Sequence, residues 1–437
     1  MPNAITGFLK SNGSQRRISR NLVANNPIGA TASRRWVSSM IGSGIKVLWG
    51  DKFVQQLWNS WALAPTSDDY GDFLSYQTLA AKGLFDDGEV FTRFVYSGEA
   101  TKENPITLRL QILNSDILAD TGTIMYSNGG SKISGIMVDQ YLRPIAYDFY
   151  STNMYLLGAS QYTTIPAAEI IHLFKKNYVG QFRGTPYLSA VFDTVAQLDE
   201  LFLATLKRQK NAQAISYIVK RQGNNPFPFL GDMTEDQPVS ELLTDRKFKR
   251  VSSVEAGSVV YLNDGEDVSP IAPADIGDNL VKVFDAQLRL IAASIDLTFE
   301  QLSNNLSQVN YSSARVGMLT VNRVIAQQQQ ILLISIMLKK ITDKFLALVT
   351  AEFGDKYKNL NPVYQTPKVE SIDREKEAKA TLMELQTGLT TLELELAKRN
   401  LDYETIVQQL QKEHDLQIVL SGQLTSKKPK NTKKGDI

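Results

Sequence analysis

Two pairs of adjacent acidic residues and one nearby glutamate are the side chains in this sequence best suited to metal chemistry. The pairs are Asp68 with Asp69 and Asp86 with Asp87, and Glu89 follows shortly after the second pair. Mg²⁺ prefers carboxylate oxygens, and bound Mg²⁺ assists phosphodiester hydrolysis. Adjacent acids in turns are more often solvated surface, so a Mg²⁺-dependent nucleic-acid-processing enzyme is the alternative hypothesis rather than the favoured one.

Other enzymatic chemistry is sparse. The chain has no cysteine, which excludes disulfides, thiolate nucleophiles and cysteine-ligated zinc. His172 ends a β-prone run and His414 lies in a predicted C-terminal helix, and nothing in the sequence places the two together. Phosphate-loop, dinucleotide and nucleophile-elbow motifs are lacking. We therefore expect no catalytic residue, no metal and no cofactor, and predict that the chain is not an enzyme.

A polar segment over residues 304–315 separates two long amphipathic helical patterns and is uncharged until Arg315. The whole chain has 437 residues, a net charge of +1 and a pI of about 7.7. A static nucleic-acid binder is usually far more basic. The segment therefore favours weak, exchangeable hydrogen bonds over tight binding.

The N-terminal region is basic and lacks acids, which predicts a flexible arm over residues 1–16. A helix is predicted over 27–41. All of the tryptophans fall in or near this region, and we interpret them as a packed aromatic core rather than as base-stacking groups: Trp36, Trp49, Trp58 and Trp61.

The next region alternates short β-prone runs with turn signals, after a helical pattern at 70–84. The turns include Asp86-Asp87-Gly88 and Asn128-Gly129-Gly130. This pattern predicts an α+β domain, with strands at Phe91–Tyr96, Thr107–Ile112, Gly135–Val138, Ile145–Phe149 and Ile170–Phe174.

Three long helices are predicted at 187–213, 276–294 and 312–353, because apolar residues recur at helical spacing. A compact β insertion, 214–274, lies between the first two, with strands at Ile215–Val219 and Val259–Leu262. Such a helical hairpin has a narrow apolar stripe that needs neighbours, and identical copies are the natural source.

The C-terminal part begins with a proline-punctuated linker, 361–368, and continues with predicted helices at 371–386 and 402–417. The Lys-rich tail from 427 is predicted to be disordered. The most apolar run, 331–338, is about half as long as a membrane span requires. We expect no membrane partner.

The ordered set of segments resembles the portal (head–tail connector) proteins of tailed double-stranded DNA phages, of the lambda type. The resemblance covers about 17–417. Its most specific piece is 310–315, Asn-Tyr-Ser-Ser-Ala-Arg, and the others are 20–27, 41–45, 87–91, 135–139, 143–147, 165–167, 171–174, 180–188, 388–389, 402–404 and Glu413. Two departures from the family pattern are Ser294-Ile295-Asp296, where a glycine-rich turn is usual, and Ser303-Asn304-Asn305, which lacks a common acid.

The resemblance implies an α+β portal fold with named parts. They are a wing (17–186), two stem helices (187–213 and 275–297), a β-rich clip (214–274), a tunnel loop (298–311), a long wing helix with its linker (312–367), a helical crown (368–420) and a basic tail (421–437).

Site residues follow from that assignment. Asn304, Asn305, Leu306, Ser307 and Gln308 are predicted to line the DNA channel. Asn310, Tyr311, Ser312, Ser313 and Arg315 are predicted to hold the loop on the long helix, with Ser312 near the N-cap; the alternative for Arg315 is a surface ion pair. Basic residues of the stem channel are Lys207, Lys210 and Lys282, and those for clip docking are Lys247, Lys249 and Arg250. Helix-dipole contacts and solvated surface are the alternatives for the two basic clusters.

The resemblance also implies partners and a location. We expect a homo-oligomer, of dodecameric form, at one capsid vertex of a virion assembled in the host cytoplasm. Its partners would be double-stranded DNA in the channel, the terminase large subunit, head-completion and tail adaptor proteins, and major capsid and scaffold proteins. A ring or tail adaptor that is not a portal is the remaining alternative.

Overall fold

The computed structural model describes residues 2–96, 105–119, 123–125, 130–150, 162–214, 217–221, 266–270, 278–307, 311–367, 374–398, 403 and 406–414. The chain divides into two compact units. The first comprises Met1–Phe192 and Arg289–Ile437, and the second comprises Asp193–Leu288. Within the described residues, no helix combines the length and apolarity that crossing a bilayer requires.

The first unit begins with four helices, of which the last three start at identifiable caps. They are α1 (Pro2–Asn25), α2 (Pro27–Ile41), α3 (Lys52–Ala62) and α4 (Phe73–Asp87). Asn26, Asp51 and Asp72 accept backbone N–H groups at the starts of α2, α3 and α4, which satisfies donors that a helix start leaves unpaired. Pro27 lies at the first position of α2, where its missing N–H has no cost.

The predicted aromatic core is confirmed. Trp36, Trp49, Trp58 and Trp61 are all buried. Phe345, which lies on a later helix, contacts three of these indoles, with ring centroids 5.0–6.0 Å apart. These rings contribute to packing and are not available for base stacking.

Among the described residues of the first unit, two larger antiparallel sheets are accompanied by a two-stranded pair that includes Lys46–Leu48. The strands, in chain order, are β1 (Lys46–Leu48), β2 (Glu89–Tyr96), β3 (Leu108–Leu113), β4 (Thr123–Met125), β5 (Ser131–Ile133), β6 (Ile136–Val138), β7 (Pro144–Tyr150), β8 (Tyr162–Pro166) and β9 (Ile170–Phe174). One sheet has the order β3-β2-β9 and the other β4-β5-β6-β7-β8. Phe91 of β2 and Phe149 of β7 belong to one buried apolar cluster that both sheets share.

The second unit contains α5 (Phe192–Ala214, after a 3₁₀ turn at Tyr187–Val191), β10 (Tyr217–Arg221), β11 (Glu266–Pro270) and most of α6 (Asp278–Ser294). Phe202 and Phe284 bring α5 and α6 together edge to face, with centroids 6.2 Å apart. β10 and β11 pair antiparallel. The strand predicted at Val259–Leu262 lies outside the described residues.

The chain returns to the first unit through α7 (Phe299–Ser303) and one long helix. That helix comprises α8 (Tyr311–Gln328), a π-helical segment (Gln329–Leu338) and α9 (Lys339–Phe353). β12 (Val363–Gln365) pairs with β1, so the predicted linker contains a strand. α10 (Arg374–Gln386), α11 (Leu392–Lys398) and helical residues 406–414 complete the described chain.

The prediction of a flexible N-terminal arm over 1–16 is wrong. The segment is helical from Pro2, and Arg16 is buried. Asn12 donates from Nδ2 to the carbonyl of Gly184, at 2.9 Å. The acids that pair with Arg16 and Arg20 of α1 are far away in sequence, so local composition alone suggested a solvated arm.

Candidate nucleic-acid interface

The turn between α6 and α7 redirects the chain into the predicted tunnel loop. The N–H groups of Ile295 and Leu297 both donate to the carbonyl of Ala292, at 3.2 and 3.0 Å. Asp296 has φ 58°, in the left-handed region. Glycine is usual in that region and aspartate is among the few other residues that tolerate it. Asp296 therefore makes the turn that the family pattern assigns to glycine.

The base of the loop is a short capped helix. Thr298 accepts the N–H of Gln301 at 3.2 Å, and the Gln301 side chain accepts the N–H of Thr298 at 2.9 Å, which is a capping box. Phe299 and Leu302 are buried. The Arg289 guanidinium lies 4.2 Å from the centroid of the Phe299 ring. Apolar burial and a cation–π contact therefore hold this helix on the first unit.

The tip of the loop, residues 304–307, is exposed and carries no charge. Asn304 has φ 55° and donates its N–H to the Glu300 carbonyl, which ends α7. Asn305 Oδ1 accepts both the N–H (3.1 Å) and the hydroxyl (2.7 Å) of Ser307. Leu306 is 66% exposed. The tip thus presents an internally ordered turn of amide and hydroxyl groups with one projecting apolar side chain.

Only some of the other residues predicted to belong to the loop or to anchor it can be located. Gln308 and Asn310 lie outside the described residues. Tyr311, Ser312 and Ser313 form the start of α8, which begins one residue before the predicted helix start, and their side chains are not described. Arg315 is exposed on α8. Anchoring of the loop by Asn310 and Arg315 stays a prediction.

The predicted basic residues of the stem are exposed in the second unit. Lys207 and Lys210 lie on α5 and Lys282 lies on α6. Their assignment to a channel stays a prediction. Lys247, Lys249 and Arg250 lie outside the described residues.

The acidic residues that suggested metal chemistry are mostly engaged by cations. Asp86 pairs with Lys82, and Asp87 accepts from Arg20 Nε and Nη2 at 2.6 and 2.7 Å. Asp68 and Asp69 are exposed. In the part of the chain that the structure describes, no group of three His, Asp or Glu side chains is arranged to hold a metal ion. The geometry favours an ion-pair network over the alternative of a Mg²⁺ centre.

Glu89 is the centre of that network and is fully buried. Its carboxylate accepts from Arg183 Nε at 2.8 Å, from the Gly184 N–H at 2.8 Å and from His172 Nε2 at 3.1 Å. Arg16 of α1 lies 3.4 Å away. One carboxylate therefore connects α1, β2, β9 and the segment that leads to Tyr187. We call Glu89, Arg16, His172 and Arg183 the Glu89 junction.

Electrostatics fixes the charge state of the Glu89 junction. Burial alone would raise the pKa of Glu89, but the charge of Arg183 and the hydrogen bond from His172 outweigh it and hold that pKa well below its ordinary value. Burial lowers the pKa of His172 below its ordinary value, more than the Glu89 charge raises it. His172 is therefore neutral near pH 7 and donates its Nε2–H to a carboxylate that can only accept.

Two glycines allow the close backbone approach on which the Glu89 junction depends. A Cβ on Gly88 would lie 2.1 Å from the Thr185 carbonyl carbon, and a Cβ on Gly184 would lie 2.0 Å from the Gly88 oxygen. Gly88 also has φ 81°, as the residue that ends α4. Any larger residue at Gly88 or Gly184 would separate the two backbones.

The capping box and the Glu89 junction were not predicted from the sequence. The Thr298-x-x-Gln301 spacing is a known helix-start signal and was available. No comparable signal links Glu89 to its partners, because His172 lies 83 positions and Arg183 lies 94 positions farther along the chain. Only the fold brings them together.

Comparisons with known proteins agree over most of the chain. The model of the family described as phage portal protein, lambda family, matches residues 8–329. The probable portal protein of Halomonas phage phiHAP-1 is 24% identical over 272 residues, which are 61% of this chain and 50% of that protein. Portal protein B of Escherichia phage lambda is 25% identical over 266 residues, or 55% and 49% of the two chains. The chain therefore spans about half the length of these curated relatives.

A solved structure shares the fold. It is described as the neck of an empty GTA particle computed with C6 symmetry, and it has a TM-score of 0.50 and 13% identity. The match covers 90% of this chain and 93% of that one. At this identity the likeness shows a common fold and nothing finer.

Proposed function

This chain belongs to the lambda family of phage portal proteins, and we propose that it is the structural subunit of a ring at one capsid vertex through which double-stranded DNA is packaged and ejected. The observation that carries the proposal is the family match over residues 8–329, which includes the Glu89 junction, both helices of the second unit and the loop. The same match supports naming the wing, stem, clip and tunnel loop, whereas the crown, 368–420, lies beyond the matched residues and its name rests on the resemblance alone.

Exposed apolar side chains on the second unit support assembly with copies of itself. Five of them are 37–55% exposed: Phe202, Leu203, Leu206, Val281 and Val283. Leu206 lies four residues after Phe202 and three after Leu203 on α5, which places these side chains close together on the helix surface, and such exposed apolar patches mark protein–protein interfaces. A closed ring of identical chains would cover this surface, because each copy presents the same helices to its neighbour.

The chemistry of the loop tip suits a moving duplex. Each phosphate that a lysine or arginine neutralises strengthens binding through counterion release. A ring multiplies every such contact by the number of subunits, so a basic lining would hold DNA in place. The uncharged Asn304-Asn305-Leu306-Ser307 turn offers weak hydrogen bonds that exchange quickly.

Partners follow from the same role. The chain has no phosphate-binding loop motif, so we infer that a partner motor, the terminase large subunit, hydrolyses ATP. The clip, with Lys247, Lys249 and Arg250, would dock that motor and later the head-completion and tail adaptor proteins. Capsid and scaffold proteins would contact the wing.

Placing positive charge on the neutral loop tip tests the proposal. Particles with Asn304→Lys and Asn305→Lys are expected to package DNA more slowly and to release it less readily, with a salt dependence that the wild type lacks. Asn21→Lys with Asn25→Lys is the matched control, because both asparagines are exposed on α1. Unchanged packaging and release in the loop variant would contradict the proposed role of the loop.

A further inference from the structure

Gln328 is a buried amide at the point where the long helix changes from α to π geometry. It is the last residue of α8, and the π-helical segment begins at Gln329. Gln328 Nε2 donates to Asp296 Oδ2 at 2.9 Å, and the Tyr187 hydroxyl donates to Gln328 Oε1 at 3.1 Å. Both ends of the amide are thus occupied by side chains from distant parts of the sequence.

These two partners mark where the chain leaves and rejoins the first unit. Tyr187 opens the 3₁₀ turn that precedes α5. Asp296 occupies the left-handed turn between α6 and the loop helix α7. Gln328 therefore ties the start of the outgoing segment and the base of the loop to one position on the long helix.

Both partners have further contacts. The Tyr187 ring packs on Trp36 and Phe85, with centroids 4.6 and 5.6 Å apart. Lys175 Nζ lies 5.3 Å from the centroid of the Tyr187 ring and 3.9 Å from Asp296 Oδ2. Tyr187 is thus held by the aromatic core, and Gln328 transmits that fixed position to Asp296.

Chemistry explains why an amide is needed at this position. The Asp296 carboxylate can only accept, so it requires the Nε2–H of Gln328, and Oε1 then faces the Tyr187 hydroxyl. Burial raises the pKa of Tyr187 and keeps that hydroxyl protonated as a donor. A leucine would remove the acceptor of the Tyr187 hydroxyl and leave Asp296 with only the Lys175 contact at 3.9 Å, and a glutamate would place two carboxylates together.

We propose that Gln328 is a positioning residue that fixes the tunnel-loop tip, 304–307, by holding its base at Asp296 against Tyr187 and the long helix. The relevance of this residue to DNA passage rests on the proposed function. The positioning itself does not, because it concerns only contacts inside the first unit. A π-helical segment starting at the next residue is consistent with a functional position, since such segments are frequent at functional sites.

Gln329 provides a matched control. It is buried to the same degree, at 6% exposed against 5% for Gln328. Its Nε2 donates to the Met40 carbonyl of α2 at 2.8 Å, so its removal also breaks one buried hydrogen bond of the same helix. This hydrogen bond leads to α2 and not to the base of the loop. Any effect that is only a loss of helix packing should appear in both variants.

Because the natural chain has no cysteine, a nitroxide can be attached to Asn305→Cys alone, and to Lys358→Cys as a remote site. Spectra are recorded on the purified full chain without DNA. We expect Gln328→Leu to remove the immobilised component of the spectrum at 305 and to leave 358 unchanged. Gln329→Leu should leave the spectrum at 305 unchanged.

Asp296→Gly keeps the left-handed turn while removing the carboxylate, so it should also increase the mobility of the nitroxide at position 305. This variant replaces Gln328→Leu in the test if Gln328→Leu does not fold. Equal effects of Gln328→Leu and Gln329→Leu at 305, or no effect of either Gln328→Leu or Asp296→Gly, would overturn the proposal. A mobilised label with normal packaging would instead count against the role of the loop in DNA passage and leave the positioning intact.

Discussion

The Glu89 junction and the loop tip differ in their content of charged residues. At the Glu89 junction, one buried carboxylate is surrounded by Arg16, Arg183 and His172. At the tip, four exposed residues carry no charge at all. Charge is therefore paired and buried at the Glu89 junction, and it is absent from the loop tip, which we propose faces DNA.

The largest expected effect comes from removing the carboxylate of the Glu89 junction. Glu89→Gln removes the charged carboxylate that Arg183 and Arg16 share, and losing one partner of a buried ion pair typically costs about 3–5 kcal/mol. The free energy of unfolding, measured with urea, should fall by that amount. Glu352→Gln is the control, because Glu352 is exposed on α9 and such changes stay within about 0.5 kcal/mol.

A variant with Asn304→Ala and Asn305→Ala gives the other half of this comparison. Its free energy of unfolding should stay close to that of the wild type. A Glu89→Gln protein as stable as the Glu352→Gln control would show that the buried pairs contribute little, and the contrast between the two regions would be lost.

A smaller effect is expected from pH. The pKa of His172 is depressed in the folded protein, so the unfolded chain binds the proton more readily below the ordinary value of 6.5. By linkage, the stabilising contribution of neutral His172 is present above pH 6.5 and is lost as the pH falls below it. Glu89, whose pKa is also depressed, adds a loss of the same sign below its ordinary value of 4.5.

Thermal unfolding between pH 7 and 5 tests this expectation. The midpoint should fall with pH in the wild type and fall less in His172→Gln, which has no titrating group at that position. The loop tip has no titratable side chain over 304–307, so a label at 305 should keep its spectrum across the same range while the protein stays folded. Equal slopes in both proteins would remove His172 as the cause.

The sequence predicted the elements whose signals are local. The strand at Ile170–Phe174 and the long helix ending at Phe353 appear with nearly the predicted bounds. The aromatic core was predictable because four tryptophans fall within a short stretch. The family resemblance was carried by ordered short segments, and the family match confirms it.

The failures share a physical cause, which is dependence on distant partners. Arg16 and Arg20 have no acidic neighbour in sequence, so residues 1–16 were predicted to be a flexible arm, whereas Glu89, Asp87 and Asp116 neutralise these two arginines in the fold. β4, β5 and β12 have three residues each and depend on their pairing strands rather than on their own pattern. The partners of Gln328, Tyr187 and Asp296, lie 141 and 32 positions away in sequence, so no local pattern indicates them.

The most direct test is a cryo-EM reconstruction of the assembled protein purified at several concentrations. We expect a ring of identical subunits around a central hole wide enough for duplex DNA, with residues 304–307 at the wall of the hole. A protein that remains a monomer throughout, or a ring that carries 304–307 on its outer surface, would contradict the proposed role.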